Sequence, residues 1–309
     1  MTNNNPILEN LQNRTVQQLP IKLIYAHNDY AVFDKGTTEF YGEEEEFISD
    51  QPIEDKVVWN KELTPKELKK LPVVFSCRLG MLFSEVFYTA YNKKKMRWAL
   101  QSPAHQASLI DRLIDSMKTQ AQLRLNEALT DVICNKDNYK ENTGWEEVEA
   151  DFVNLDSQDK AIAFLLKMKQ VYDEMNEVTT KYNKGYQKPG DPNWHDVKTN
   201  CETPKSKVLT IDPKYMNGLV IYFLADVARD NDLNPHYLFK KVITRKLKNN
   251  VAYTIHDEKS VVYRIINDEG IEQEKILGSG TTKYAYDVDA LGGMIPYTNS
   301  FALAVKIAE

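Results

Sequence analysis

Between Pro103 and Asn135 the chain carries an uninterrupted helical pattern of some thirty residues. Leu109, Ile110, Leu113, Ile114 and Met117 recur at i, i+3 and i+4 spacing, and Ala121, Leu125, Ala128, Leu129 and Val132 continue the stripe. Asp111, Asp115, Lys118, Gln122 and Asn126 fall on the opposite, polar face. Ser102 supplies an N-cap and Pro103 a first helical residue. At 1.5 Å per residue the pattern implies a rod of roughly 50 Å, against three or four turns in an ordinary globular helix. A rod with a continuous apolar stripe must lie on other structure along its whole length. It suits a large flat subunit better than a compact enzyme.

The sequence on either side of this helix has a different texture. Residues 1–20 are rich in Asn and Gln with few apolar anchors, and are expected to form an arm that orders only on a partner. Strand signals run from Ile21 to Phe33, broken at His27-Asn28-Asp29. From Phe33 to about Pro72 little could bury itself locally, and the span reads as a long hairpin projecting from the body. Thr64-Pro65-Lys66-Glu67 has the form of a capping box. Met81 to Tyr91 is apolar and aromatic, and fits strand or helix equally. After the long helix, a second amphipathic helix is expected from Gln158 to Tyr182, with Ile162, Leu165, Met168, Tyr172, Met175 and Val178 on one side. Gly185 to Pro204 is turn-rich. Val208 to Ile211 is a buried strand, followed by a helix from Asp212-Pro213 to about Arg229 and a brief one opened by Asn234-Pro235. Strands follow at 251–255, 261–266 and 271–277. The last, from Phe301, alternates bulky and small residues and is expected to be central in its sheet.

Signals for chemistry are sparse. Cys77, Cys134 and Cys201 are far apart and odd in number, which argues for inert thiols rather than a disulfide framework or zinc site. His27, His105, His195, His236 and His256 are scattered without metal-ligand spacing. Gly278-Ser279-Gly280 lacks the third glycine and following helix of a phosphate cradle and reads as a turn. No catalytic residue, cofactor or metal ligand is therefore assigned. A net charge of −6, with signs mixed along the chain, argues against tight wrapping of nucleic acid. No segment reads as a signal peptide or bilayer span, so a soluble protein made inside a cell, with no membrane partner, is expected.

Two charged clusters stand out as inter-subunit contacts. One is Glu43, Glu44, Glu45 and Glu46, flanked by the apolar Phe40, Tyr41, Phe47 and Ile48. In an extended segment alternate residues diverge, so four consecutive carboxylates do not converge on one metal. The other is Lys93, Lys94 and Lys95 with Arg97, too small a patch for useful nucleic-acid affinity at physiological salt. Opposite signs suggest that the two clusters meet across a subunit boundary.

Phe33-Asp34-Lys35-Gly36 with Gly42 and the Glu45 to Asp50 segment, Leu71-Pro72-Val73 leading to Glu85-Val86-Phe87-Tyr88, Ser206 to Tyr222, Tyr253 to Ile265 and Phe301 to Val305 follow one another in a characteristic order. That order of parts resembles the major capsid protein of tailed bacteriophages, a fold shared with encapsulin nanocompartments, and most of all that of small podoviruses of the Bacillus phi-twenty-nine kind (Picovirinae). The resemblance covers about residues 30–309. It implies an α+β fold with an N-terminal arm, an extended β-hairpin loop, a peripheral domain holding the long spine helix, and a central α/β domain. The implied division is 1–32 for the arm and first strand, 33–92 for the loop, 93–136 and 251–299 for the peripheral domain, and 137–250 with 300–309 for the central domain. The implied function is structural: hexamers and pentamers of one chain closing an icosahedral shell around double-stranded DNA. Scaffolding and portal proteins and non-specific contact with packaged DNA would be its partners. Its place would be the virion capsid, after synthesis in the host bacterial cytoplasm. An encapsulin shell carrying cargo protein, or an α/β enzyme without a recognisable motif, are the competing expectations.

Overall fold

The computed structural model describes residues 25–37, 45–50, 74–92, 103–187, 192–201, 203, 205–223, 233–267, 270–276 and 279–306. In chain order the strands and helices are β1 (Asp34–Thr37), β2 (Glu45–Asp50), β3 (Val74–Asn92), α1 (Pro103–Ile133), β4 (Trp145–Val148), α2 (Gln158–Glu174), β5 (Tyr186–Gln187), β6 (Trp194–His195), β7 (Lys207–Ile211), α3 (Pro213–Phe223), α4 (Pro235–Leu238), β8 (Lys241–Thr244), β9 (Val251–Asp257), β10 (Val261–Asn267), β11 (Ile271–Ile276), β12 (Thr281–Met294) and β13 (Ser300–Val305).

Two sheets organise these elements. A six-stranded sheet runs β1-β10-β12-β3-β2, with β11 also paired to β12; a five-stranded sheet runs β4-β13-β9-β7-β8. The spine helix α1, about 46 Å long at 31 residues, lies across both. Met117, Ala121, Leu125, Ala128, Leu129 and Ile133 share one core with Phe83, Tyr284, Tyr286, Val288 and Ala290 of the larger sheet. Val208, Ile243, Ala302 and Ala304 of the smaller sheet close the same core. From Ile110 to Ile133 the apolar stripe thus finds cover.

The five-stranded sheet is covered on both faces at its inner strands. Every residue of β7 and β9 is buried, the signature of a sheet enclosed on two sides. Strand β13 lies between β4 and β9. Its small residues Ala302 and Ala304 admit the spine-helix core. Phe301 and Leu303 face the opposite core with Phe164, Leu165, Met168, Tyr215 and Leu219 of α2 and α3. The central position expected of this strand is observed.

Several local expectations are corrected. Residues 25–33 are not a strand: they form irregular chain, a turn at Asp29–Tyr30 and one 3₁₀ turn. Tyr30 and Phe33, both fully buried, peg this segment into the spine-helix core, so anchoring rather than ladder pairing dictates its path. Helix α2 stops at Glu174, eight residues before Tyr182. Beyond it, Thr179 bridges to Thr199 and Val178 is exposed; β-branched residues at 178–180 favour that extended geometry. Asn126 was expected on the polar face but is buried, because its Nδ2 donates to the His27 carbonyl at 2.6 Å. The fourteen-residue strand β12 was not anticipated, although it alternates Tyr284, Tyr286, Val288 and Ala290 inward.

Gly292 shows how closely the larger sheet is packed. A Cβ there would meet Leu82 Cδ1 at 2.6 Å, the Val262 carbonyl oxygen at 2.8 Å and Tyr263 Cβ at 3.0 Å. Asp212 organises the smaller sheet's crossover: one carboxylate oxygen accepts from Lys214 N at the start of α3 and the other from Leu247 N after β8.

Candidate assembly surfaces

Strand β3 continues from the six-stranded sheet into its pairing with β2. From Gly80 to Asn92 it pairs with β12, and from Val74 to Leu79 with β2, whose register sets Glu45 opposite Leu79 and Asp50 opposite Val74. Nineteen residues at about 3.3 Å each span roughly 60 Å, longer than the spine helix. Leu79 is still buried at the body, against Val197, Val262, Ile295 and Tyr297. Beside β1, which runs parallel to β10, both ends of the 33–92 span are thus strands of the six-stranded sheet.

The two faces of β3 differ in kind. Phe83 turns toward the spine helix, with Phe87 and Tyr91 packed at the edge of that core. Arg124 of the helix donates to Glu85 at 2.7 Å and lies 5.6 Å over the Phe83 ring, tying helix to strand. On the outer face Val86 is 54% and Tyr88 67% exposed, and Met81 and Ile276 of neighbouring β11 are also exposed. Lys283 Nζ sits 5.1 Å over the Tyr88 ring, and Glu272 and Glu274 rim the patch. Large exposed apolar side chains gathered on one sheet face, rimmed by charge, mark interaction surfaces. Among the described residues each part of β3 has one strand partner, β12 from Gly80 to Asn92 and β2 from Val74 to Leu79. Its other edge has no strand beside it among the described residues, a geometry suited to pairing with another chain.

A second construction fixes where the N-terminal segment enters the body. Arg245 Nη1 pairs with Asp29 at 2.6 Å, and its Nε donates to Thr130 Oγ1 at 3.0 Å. The hydroxyls of Tyr30 and Thr130 are 3.0 Å apart. Lys241 Nζ donates to the Asp29 carbonyl, and Asn28 Nδ2 donates to the Tyr263 hydroxyl. Residues 26–33 are thereby joined to the spine helix, the end of β8 and β10 at once. Of this node the sequence displayed only the turn residues; its partners are about 100 to 235 positions away, a separation no local pattern records.

The residues expected at subunit boundaries are distributed as follows. Glu45, Glu46, Phe47 and Ile48 form β2 with Leu79, Arg78, Cys77 and Ser76 as backbone partners. Phe40, Tyr41, Glu43, Glu44, Lys93, Lys94, Lys95 and Arg97 lie outside the described residues, as do the arm at 1–20 and the capping box at 64–67. The exposed Val86–Tyr88 face was not singled out, although alternation within 83–90 displays it.

His256, Cys134 and Cys201 are all buried. His256 is fully buried, with Nε2 3.3 Å from the Tyr139 hydroxyl and Nδ1 3.2 Å from Ser300 Oγ. Burial drives its pKa down to about 3. Burial also pushes the Cys134 thiol up to about 11 and that of Cys201 to about 12, far from reactive thiolate. Ser279 and Gly280, with Gly280 at positive φ, turn the chain from β11 into β12. Among the described residues no cluster of three His, Cys, Asp or Glu could hold a metal ion, and no helix is long and apolar enough to cross a membrane.

Comparison with solved structures finds this architecture in phage capsids. The capsid of Staphylococcus phage Andhra superposes with a TM-score of 0.67 at 9% identity, covering 94% of this chain and 88% of that one. The capsid of cyanophage P-SCSP1u gives 0.63 at 8% identity over 94% and 91%, and that of Ralstonia phage GP4 gives 0.59 at 10% over 94% and 95%. A sequence search of curated proteins returned no match. The likeness to the solved structures concerns the fold, which is that of tailed-phage capsid proteins. The profile of the Phi29-like phage major capsid protein family matches residues 1–304. The chain belongs to that family, the Phi29-like phage major capsid proteins, and is a structural component of a phage capsid.

Proposed function

We propose that copies of this chain assemble through hexamers and pentamers into an icosahedral shell around double-stranded phage DNA, and that the chain catalyses no reaction of its own. The observation that carries the reading is β3: a strand rooted beside the spine helix, with Val86 and Tyr88 exposed on one face and, among the described residues, one edge without a strand partner. Obligate contacts bury on the order of 2,000 Å² or more. A flat body with a projecting tongue offers such area more readily than a sphere. In this reading the loop is the part of 33–92 beyond the body sheet, and it laps a neighbouring copy. The peripheral domain comprises the spine helix with β3, β10, β11 and β12. The central domain comprises 137–250 with β9 and β13, because β9 pairs with β7 and β13.

Scaffolding and portal proteins, and non-specific contact with packaged DNA, complete the partners. Synthesis occurs in the host bacterial cytoplasm. The contact between subunits sets Glu43, Glu44, Glu45 and Glu46 against Lys93, Lys94, Lys95 and Arg97, with Phe40, Tyr41, Phe47 and Ile48 buried only on assembly. Negative-stain microscopy of the expressed chain tests the reading: shells, tubes or capsomer rings are expected, and a monodisperse monomer would overturn it. Particles from infected cells should hold DNA, whereas enclosed cargo protein would point to an encapsulin-like container. Reversing Lys93, Lys94 and Lys95 to Glu should block assembly, and reversing the Glu43–Glu46 run as well should restore it in part. Normal assembly of the lysine variant would refute the charge pairing.

A further inference from the structure

The spine helix and the larger sheet do not close on each other at every point. Lys118, Ala121, Gln122 and Leu125 on α1 face Ile265 of β10 and Tyr286 of β12 across an open cleft of about 310 Å³. Ala121, Leu125 and Tyr286 belong to the spine-helix core and Ile265 packs against it, while Lys118 stands exposed at the rim. The cleft is an apolar slot with a polar lip, open from outside.

The N-terminal segment enters the body at one end of this slot. The His27 carbonyl accepts from Asn126, one helical turn past Gln122. Asn28 donates to the hydroxyl of Tyr263, two residues before Ile265 and on the same face of β10. Tyr30 then meets Thr130, one turn further along the helix. From residue 27 to residue 30 the chain thus advances along α1 from 126 to 130, about 6 Å at 1.5 Å per residue. Continued backward at the same pace, it meets Gln122 near residue 24 and Lys118 near residue 21. Residues 21–24 lie outside the described residues, and their sequence is Ile21, Lys22, Leu23 and Ile24, three apolar side chains around one lysine.

We infer that residues 21–24 fill the slot of their own subunit, with Ile21 and Leu23 inserted between α1 and the sheet and Lys22 toward solvent. The occupant is the chain itself because it is tethered at the mouth of the slot, where its effective concentration exceeds that of a separate copy. Burying one such aliphatic side chain biases the equilibrium toward docking by roughly tenfold to a hundredfold. The docked segment would complete the core along the spine helix before any neighbour arrives. The inference does not rest on shell assembly, and its failure leaves the capsid function untouched.

The test is limited trypsin digestion of dissociated, full-length subunits, read by mass spectrometry. Cleavage after Arg14 and after Lys22 is measured, each rate divided by that of the same bond in a free peptide of residues 10–30. Normalised cleavage after Lys22 should be slower than after Arg14 by at least about tenfold. The double variant Ile21→Ser, Leu23→Ser should abolish the protection, and so should Gln122→Trp, which fills the slot from the helix side. Equal normalised rates at the two bonds of the wild-type chain would overturn the proposal. Protection lost on dilution would assign the slot to a second copy, and protection retained in Gln122→Trp would place the segment elsewhere; either result also overturns it. Should Gln122→Trp fail to fold, the wild-type chain and the serine variant decide.

Discussion

Acidification should destabilise the subunit through His256 before the contribution of Glu174 is lost. The ring is buried between Tyr139 and Ser300, with the Phe33 ring edge-on at 6.3 Å. Burial alone accounts for its low pKa of about 3, against 6.5 for a free imidazole. The sign follows from which state binds the proton. Below pH 6.5 the unfolded chain is protonated at this position, while the folded chain stays neutral until about pH 3. Stability is therefore full above pH 6.5 and declines as pH falls. At about 1.4 kcal/mol per pH unit, the loss is about 2 kcal/mol at pH 5 and about 5 kcal/mol by pH 3. Glu174 acts in a separate window. Burial raises its pKa, but hydrogen bonds from Lys181, Tyr182 and Gln170 outweigh this and hold it near 2, so its contribution is lost only below pH 4.5. The interval from pH 7.5 to 5 thus isolates the histidine. Urea unfolding of dissociated subunits, followed by tryptophan fluorescence at constant ionic strength, would measure it. His256→Gln lowers stability at pH 7.5 through lost packing, yet should flatten the decline by about 2 kcal/mol. Equal declines in the two proteins would refute the argument.

Three further outcomes are expected. Tyr88→Asp, at a 67% exposed position, should change subunit stability by less than about 0.5 kcal/mol while abolishing particles in sedimentation; normal particles would remove this face from assembly. Asn126→Ala leaves the His27 carbonyl without its buried donor. It should cost about 1–3 kcal/mol in urea unfolding and speed proteolysis of residues 25–33; unchanged protection would show that the node does not hold the segment. Gly292→Ala forces a Cβ against Val262, Tyr263 and Leu82 and should cost about 1–3 kcal/mol. Gly80→Ala, with nothing within 4 Å of the added carbon, should be near neutral. Similar costs for both would contradict the close packing inferred at Gly292.

The parts legible in the sequence were those with a strong local period or a decisive cap. The spine helix was visible because its stripe repeats over some thirty residues, and the observed Pro103–Ile133 differs from expectation only at its C-terminal end. The short buried strand at Lys207–Ile211 and the brief helix after Asn234 were equally plain, the latter because Asn234 Oδ1 accepts from His236 N. Strand β12 was obscured by Gly292 and Gly293 and by Asp287 and Asp289, residue types that ordinarily break strands. The end of α2 was overrun because Met175 and Val178 keep the helical spacing, although only Met175 is buried.

The amino-acid order by itself determined that a long rod must be covered along its length, that no motif for catalysis stands out, and that β13 separates small from bulky residues. It also carried the family resemblance, through the sequence of parts rather than through any single motif. Only the tertiary structure decided what covers the rod, that Asn126 turns inward to hold the chain at His27, and that Val86 and Tyr88 remain outside while Phe83 is buried. The reason is physical. Periodicity records which residues share a face, but burial depends on which distant segment arrives to occupy it. A polar residue such as Asn126 becomes interior only when that segment brings an unpaired carbonyl.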